Sequence, residues 1–271
     1  MRELAARIVA AVAGGTLVLL LGLPLAALLL RVSPGELARR LASPEILAAL
    51  RLSLVSTTAA SLLVVVMGLP LAYLLATRRF RGKRVLEVLL DLPMVLPPTV
   101  AGFALLMAFG RMGLAGRALS ALGVSLPFTT LGLVVAQVFM AAPFFIAPAR
   151  AGFASVDRRY LDAAATLRAS EARTFLRVML PLSMPSLLAG VAMCGARALG
   201  EFGATITFAG NLPGVTQTMP LAVYVALQSD LSTAVALSAL LLAMSCALLF
   251  ALRATSAGAL LGGRFAAGAS R

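Results

Sequence analysis

Two ionisable residues, Arg197 and Glu201, stand four apart inside an apolar stretch. On a helix that spacing brings a guanidinium and a carboxylate onto one face, within pairing distance, although cation-first is the weaker order. Met193 and Thr205 extend the same four-residue stripe, and beside it runs a stripe of Ala192, Ala196, Gly200 and Ala204. Residues this small let a second helix approach closely. An ionisable group within an apolar span costs several kcal/mol unless paired or hydrated, and it faces the inside of a bundle. Two kinds of chemistry fit: a polar lining or gate for an anion, or a neutralised pair that fixes helix packing.

Enzyme chemistry has little to work with. The chain has no His and ten carboxylates. No nucleophile–base pair or metal-ligand spacing is visible, and the phosphate-cradling pattern G-x-x-x-x-G-K-[S/T] is absent. The expectation is a non-catalytic chain that binds no cofactor or metal itself. Cys194 and Cys246 fall inside apolar stretches and are read as small buried apolar residues.

The elements that must position Arg197 and Glu201 follow from composition. Of 271 residues, 61% are hydrophobic and 12% charged, and mean hydropathy is +1.01. Apolar runs of about 20 residues match the ~30 Å hydrocarbon core of a bilayer. The reading is an all-α integral membrane protein with one membrane domain over 1–271. Its six spans are expected at about 8–30, 52–77, 89–109, 129–148, 183–208 and 231–252. A signal peptide is the rival reading of the first run, which is long for one and lacks a clear cleavage site. Residues 31–51, 111–128 and 211–230 are read as loops. Pro97 and Pro98, with Thr99, open the third span either as a kinked helix start or as a gate element.

A formal charge of +13 would point to nucleic acid in a soluble protein, but here the cations sit at span ends and report topology. Sixteen Lys and Arg lie in the amino end, the 78–84 cluster, the 149–182 loop and the tail, against six in the opposite loops. That excess places both termini and the 149–182 loop in the cytoplasm. Arg31, Arg39, Arg40 and Arg51 make the first external loop the weak point of the assignment.

The longest polar interruption is Val156–Pro181. Val156, Tyr160, Ala164 and Leu167 draw an apolar stripe on one helix, and Ala172, Phe175, Leu176 and Met179 on a second. Ser170 is placed to cap the second helix, and Pro181 and Pro185 mark a break or restart. Such a stripe either docks on a partner or lies on lipid headgroups.

This stretch resembles the EAA loop of ABC-type importer permeases: E-A-A, three residues, Gly, nine residues, I-x-L-P. Asp162, Ala163 and Ala164 take the first places, Arg168 the Gly place, Val178 the Ile place, and Leu180 and Pro181 the end. Asp162 keeps the charge on a shorter arm. Arg168 departs further: a left-handed hinge there costs a non-Gly residue about 1 kcal/mol. The resemblance implies a type I importer permease fold and a loop docking on a separate ATPase through Tyr160, Asp162, Ala163, Ala164, Leu167, Arg168, Leu180 and Pro181.

Leu92–Leu106, Ala196–Asn211 and Pro213–Tyr224 resemble, more narrowly, the molybdate permeases of that class. With the loop, the resemblance covers most of 52–252. It implies a homodimer in a prokaryotic plasma or inner membrane, working with two cytoplasmic ATPase subunits that use ATP and Mg and with an external oxyanion-binding protein. Nucleic acid is not an expected partner. The third and fifth spans help form an external gate in that family, and Pro97, Pro98, Thr99, Arg197, Glu201 and Thr205 take the matching positions. Sulfate and thiosulfate permeases share similar blocks, and sulfate, thiosulfate or tungstate import stays open as an alternative. So does a membrane assembly protein without transport.

Overall fold

The computed structural model describes residues 2–32, 35, 37, 39 and 43–268. Pro34 and Arg40 of the first loop and Arg271 of the tail lie outside the described residues, as do the side chains of Arg2, Arg253 and Arg264. Every regular element among the described residues is helical. In order they are α1 Arg2–Leu30, α2 Pro44–Thr77, α3 Lys83–Val95, α4 Pro98–Phe109, α5 Gly116–Ala121, α6 Thr130–Ala154, α7 Arg158–Thr166, α8 Glu171–Leu199, α9 Gly203–Phe208, α10 Met219–Ser229 and α11 Leu231–Gly268.

Among the described residues, five helices are long and apolar enough to cross a membrane: Ala6–Leu30 of α1, α2, α6, α8, and Leu231–Ala251 of α11. The expected third span, 89–109, is not one helix. Leu96 (ψ 135°) and Pro97 (ψ 131°) are extended and divide α3 from α4. The physical reason is the Pro97–Pro98 pair, since each proline disfavours helical geometry at the residue before it. The first loop is also shorter than expected. Helix α2 begins at Pro44, whose missing N–H is harmless at a first helical position, so Arg51 lies in α2 rather than in a loop. The region read as a loop at 211–230 contains α10, whose first N–H, on Met219, donates to the buried Ser53 hydroxyl of α2 at 2.7 Å.

The core is the packing of α2, α6 and α8. Their facing residues are small: Ala60, Gly68 and Ala72 on α2, Ala141, Ala149 and Gly152 on α6, and Gly190, Cys194 and Ala198 on α8 are all buried. Lipid is as apolar as a leucine side chain, so close packing rather than expulsion from water holds such helices together. A Cβ on Gly152 would come within 2.5 Å of Ser186 Cβ, and one on Gly68 within 3.0 Å of the Phe145 ring. Phe145, 1% exposed, fills the space that Gly68 and Gly190 leave. Cys194 is buried as expected, but Cys246 is exposed on the outer side of α11.

Helix α8 runs through Pro181 and Pro185 instead of breaking at them. A proline in a regular α-helix crowds the carbonyl four residues earlier. Here Phe175–Met179 is a π turn, and the Leu180 N–H reaches back five residues to the Phe175 carbonyl. The widened turn gives the Pro181 ring room. At this end Tyr73 of α2, Phe153 of α6 and Phe175 of α8 form an aromatic cluster with centroid separations of 4.8–5.9 Å. At the start of α11, Asp230 accepts from the Ser232 N–H and hydroxyl and from the Thr233 hydroxyl. The bond from Ser232, then that from Thr233, hold its carboxyl well below the usual carboxylate range.

Candidate functional site

The first region of interest is where α8 stops short. Gly200 closes the helix, and α9 restarts at Gly203. A helix end leaves carbonyls and N–H groups without partners, and buried side chains take them up here. Gln137 of α6, 1% exposed, donates from Nε2 to the Ala198 carbonyl at 3.1 Å. Glu201, also 1% exposed, accepts the Ala204 N–H on Oε1 at 2.7 Å. A carboxylate at a helix start is favoured by the partial positive charge of the free N–H groups.

The other oxygen, Glu201 Oε2, meets Arg197 Nη1 at 2.5 Å. The Arg197 side chain is 23% exposed, and its guanidinium lies 6.0 Å from the Phe144 ring centroid. Arg197 is therefore held from one side by charge and from the other by an aromatic face, with part of its surface left open. Neither Gln137 nor Phe144 is among the residues singled out from sequence. The signal for Gln137 was a lone amide in the apolar fourth span.

The break rearranges the expected stripe. Met193 and Arg197 are on α8, Glu201 is in the turn, and Thr205, fully buried, is on α9. One helix face does not carry all four, because the chain changes direction at Gly200–Phe202. The small-residue stripe divides at the same point, and Ala204 packs on α4 instead.

That packing brings the two broken helices together. A Cβ on Gly203 would lie 2.6 Å from Pro98 Cβ, and one on Gly102 would lie 2.7 Å from the Ala204 carbonyl oxygen and 2.8 Å from Thr207 Cβ. Only glycine permits this approach. Ala101 and Leu105 of α4, Ala136 and Met140 of α6, and Ala204 and Phe208 of α9 complete the buried cluster. Pro98 and Thr99 thus abut the turn that carries Glu201, and Pro97, Pro98 and Thr99 stay exposed on its outer side. Among the described residues there is no group of three or more potential metal ligands.

The second region is the polar segment around α7. Asp157 caps it by accepting the Arg159 N–H at 3.0 Å. It ends with the Ala169 N–H on the Ala164 carbonyl and the Arg168 N–H on the Ala165 carbonyl, at 3.0 and 2.9 Å. This paired closure needs a left-handed residue between the two, commonly Gly. Arg168 occupies that position with φ +52°, so the hinge is left-handed and an arginine bears the strain. Ser170 then caps α8 by accepting the Arg173 N–H at 3.3 Å.

The apolar stripe expected here divides in two. Ala164 is 8% exposed and turned onto the chain itself, whereas Tyr160 and Leu167 are 56% and 82% exposed. Asp162, Ala163, Arg168 and Pro181 are exposed and Leu180 is half-buried. The second helix expected in the segment is the beginning of α8, Glu171–Met179, and runs on without a break.

An all-helical chain with interrupted helices and an exposed polar segment between two spans matches a known family. Residues 68–257 match the binding-protein-dependent transport system inner membrane component, and the chain belongs to that family. It is 40% identical over 228 residues to the molybdenum transport system permease protein ModB of Mycobacterium tuberculosis, covering 84% of this chain and 86% of that one. It is 37% identical over 238 residues to the sulfate transport system permease protein CysT of Salmonella typhimurium, covering 86% of each. In fold it is similar to a chain of a bacterial ABC transporter involved in the import of the acidic polysaccharide alginate. That likeness has a TM-score of 0.76 at 14% identity, over 94% of this chain and 96% of the other.

Proposed function

We propose that this chain is the membrane-spanning permease subunit of an ATP-driven importer for an oxyanion, and that the oxyanion is molybdate. The observation that carries the reading is the 40% identity to a molybdenum permease over 84% of the chain. The chain has no nucleotide-binding motif of its own, so ATP and Mg belong to a separate subunit. In this reading the two halves α3 and α4 together form the sixth crossing, and both termini lie in the cytoplasm with the excess of cations. Two copies pair around a central path, each with one ATPase subunit, and an external binding protein delivers the anion.

Within that assembly the exposed Tyr160 and Leu167, with Asp162, Ala163 and Arg168, form the surface offered to the ATPase. Ala164 and Leu180 support it from behind, and the exposed Pro181 belongs to the surface. The Glu201 turn, clamped by α4 at Pro98 and Thr99, is the gate element, and the open side of Arg197 attracts the anion. Thr205 anchors the turn. The same scaffold fits sulfate, and the 37% identity to a sulfate permease keeps that second reading specific. Uptake of radiolabelled molybdate by cells with and without this chain, in the presence of graded sulfate, separates them. Chain-dependent uptake that sulfate fails to compete supports molybdate. Full competition at equimolar sulfate favours the second reading, and no chain-dependent uptake of either rejects both.

A further inference from the structure

The turn between α2 and α3 gathers Arg78, Arg79, Arg81, Lys83 and Arg84. Two of these are engaged. Arg78 Nη2 binds Glu171 Oε1 at 2.8 Å, and Lys83 Nζ donates to the Arg78 carbonyl at 3.4 Å. The nearby Glu87 is taken by Arg150 of α6 at 2.9 Å. Among the described residues, no ion pair reaches Arg79, Arg81 or Arg84. All three are exposed.

A cavity of about 660 Å³ opens at this turn, lined by Arg79, Phe80, Lys83, Arg84, Val85 and Glu87. Gly82, at φ +85°, begins α3 without a side-chain cap; the Lys83 N–H reaches the Phe80 carbonyl at 3.4 Å, and the N–H groups of Arg84 and Val85 are further donors beside the cations. From the cavity an apolar stripe runs along α3. Val85, Val88, Leu89 and Leu92 follow the three-and-four spacing of a helix face and are 63%, 61%, 56% and 42% exposed. The stripe faces away from the protein, while Glu87 on another side ties α3 to α6.

Unpaired cations at one end and an unpartnered apolar stripe leading from them match one kind of molecule in charge and in shape. We propose that this corner binds an anionic phospholipid. Its phosphate would lie among Arg79, Arg81, Arg84 and the N–H groups of Arg84 and Val85, and an acyl chain would lie along Val85–Leu92. The inference rests on the chain lying in a bilayer and not on which anion it moves. Cations beside an anionic membrane surface each add about a fivefold gain in binding.

The test is native mass spectrometry of the purified full chain with its ATPase partner, titrated with phosphatidylglycerol or phosphatidylcholine. The wild type should retain phosphatidylglycerol at least tenfold more tightly. R79Q/R81Q/R84Q should lose that preference, a change on the order of 100-fold for three cations, while R111Q/R117Q keeps it. V85S/L89S should weaken both lipids, and excess glycerol phosphate should fail to displace the bound lipid. Because loss of cations can disturb insertion, amide exchange of wild type over residues 79–92 is measured in nanodiscs of either lipid. Slower exchange in phosphatidylglycerol is expected. Equal retention of the two lipids, equal exchange, or displacement by glycerol phosphate overturns the proposal. So does a triple variant that keeps its lipid preference but sheds the ATPase, which makes the corner a protein contact.

Discussion

The Glu201 turn and the α7 segment both interrupt the regular run of apolar helices, and they solve opposite problems. At the Glu201 turn the ion pair and the broken helix ends are met from within the chain, although among the described residues the buried Gln137 Oε1 and Thr205 Oγ1 have no hydrogen-bond partner. Glu201 serves Ala204 and Arg197, Gln137 serves Ala198, and glycines let α4 and α9 interlock. In the α7 segment the backbone ends are well capped, yet Tyr160 and Leu167 stay outside and Arg168 is held left-handed. The first region is packed and charge-paired within one chain. The second is ordered but leaves apolar side chains uncovered, which on the proposed reading is a docking surface before its partner arrives. Damage to the first should therefore appear as lost stability, and damage to the second as lost association.

The largest expected effect tests the first half of that contrast. Glu201→Ala leaves Arg197 without its partner and should destabilise the chain by about 3–5 kcal/mol, as breaking a buried pair does. Arg197→Met with Glu201→Gln should be far milder, because neither charge is left alone. Thermal unfolding in detergent orders the three proteins. A double variant as damaged as the single one would mean that the pair does not act as a unit.

Next comes the interlock of the broken helices. Gly203→Ala brings a methyl against Pro98 at the 2.6 Å separation, between two pieces of backbone with little room to shift. The cost should be near 3 kcal/mol, the upper part of the usual overpacking range. The same unfolding measurement checks it, and an unchanged midpoint would mean that α4 and α9 are not rigidly clamped.

For the α7 segment the contrast sharpens with Leu167→Asp. At 82% exposure the change should move the chain's own stability by no more than about 0.5 kcal/mol. On the proposed reading it should weaken ATPase binding by about 2 kcal/mol, roughly 30-fold. Co-purification and a binding titration read the two effects apart. Ala164→Arg is the less informative probe, because Ala164 is packed against its own chain.

Smaller still is Arg168→Gly. Relief of the left-handed arginine should stabilise the α7 closure by about 1 kcal/mol, read as slower amide exchange over 158–169. Last is Asp230, whose folded carboxyl titrates below its unfolded value. Its contribution is present above the unfolded carboxylate range and fades as pH falls through the lower folded value. Asp230→Asn should therefore speed α11 exchange at neutral pH and flatten its acid limb.

The sequence made much of this legible, and its failures have local causes. Long apolar runs marked α1, α2, α6, α8 and α11, because length and hydropathy suffice for a span. The third span misled because two adjacent prolines divide an apolar run that hydropathy reads as continuous. Pro181 misled the other way: proline signals a break, but a π turn absorbs it, and no residue type announces that turn. Periodicity placed Arg197 and Glu201 on one face and their pairing followed. It also carried the stripe on to Thr205, because a four-residue repeat is blind to a helix ending at Gly200. The left-handed strain at Arg168 was legible as a conditional, since the Gly place in the loop pattern was filled by arginine.

The central claim is that the Glu201 turn serves the anion path while the α7 segment serves the ATPase. It is tested most directly with the Arg197→Met/Glu201→Gln protein in proteoliposomes, with its ATPase subunit and the external binding protein. ATP hydrolysis and radiolabelled molybdate uptake are measured together. The account predicts that the double variant keeps its ATPase and hydrolyses ATP while losing most uptake. Near-normal uptake by this variant would contradict it and leave the pair a device for packing alone.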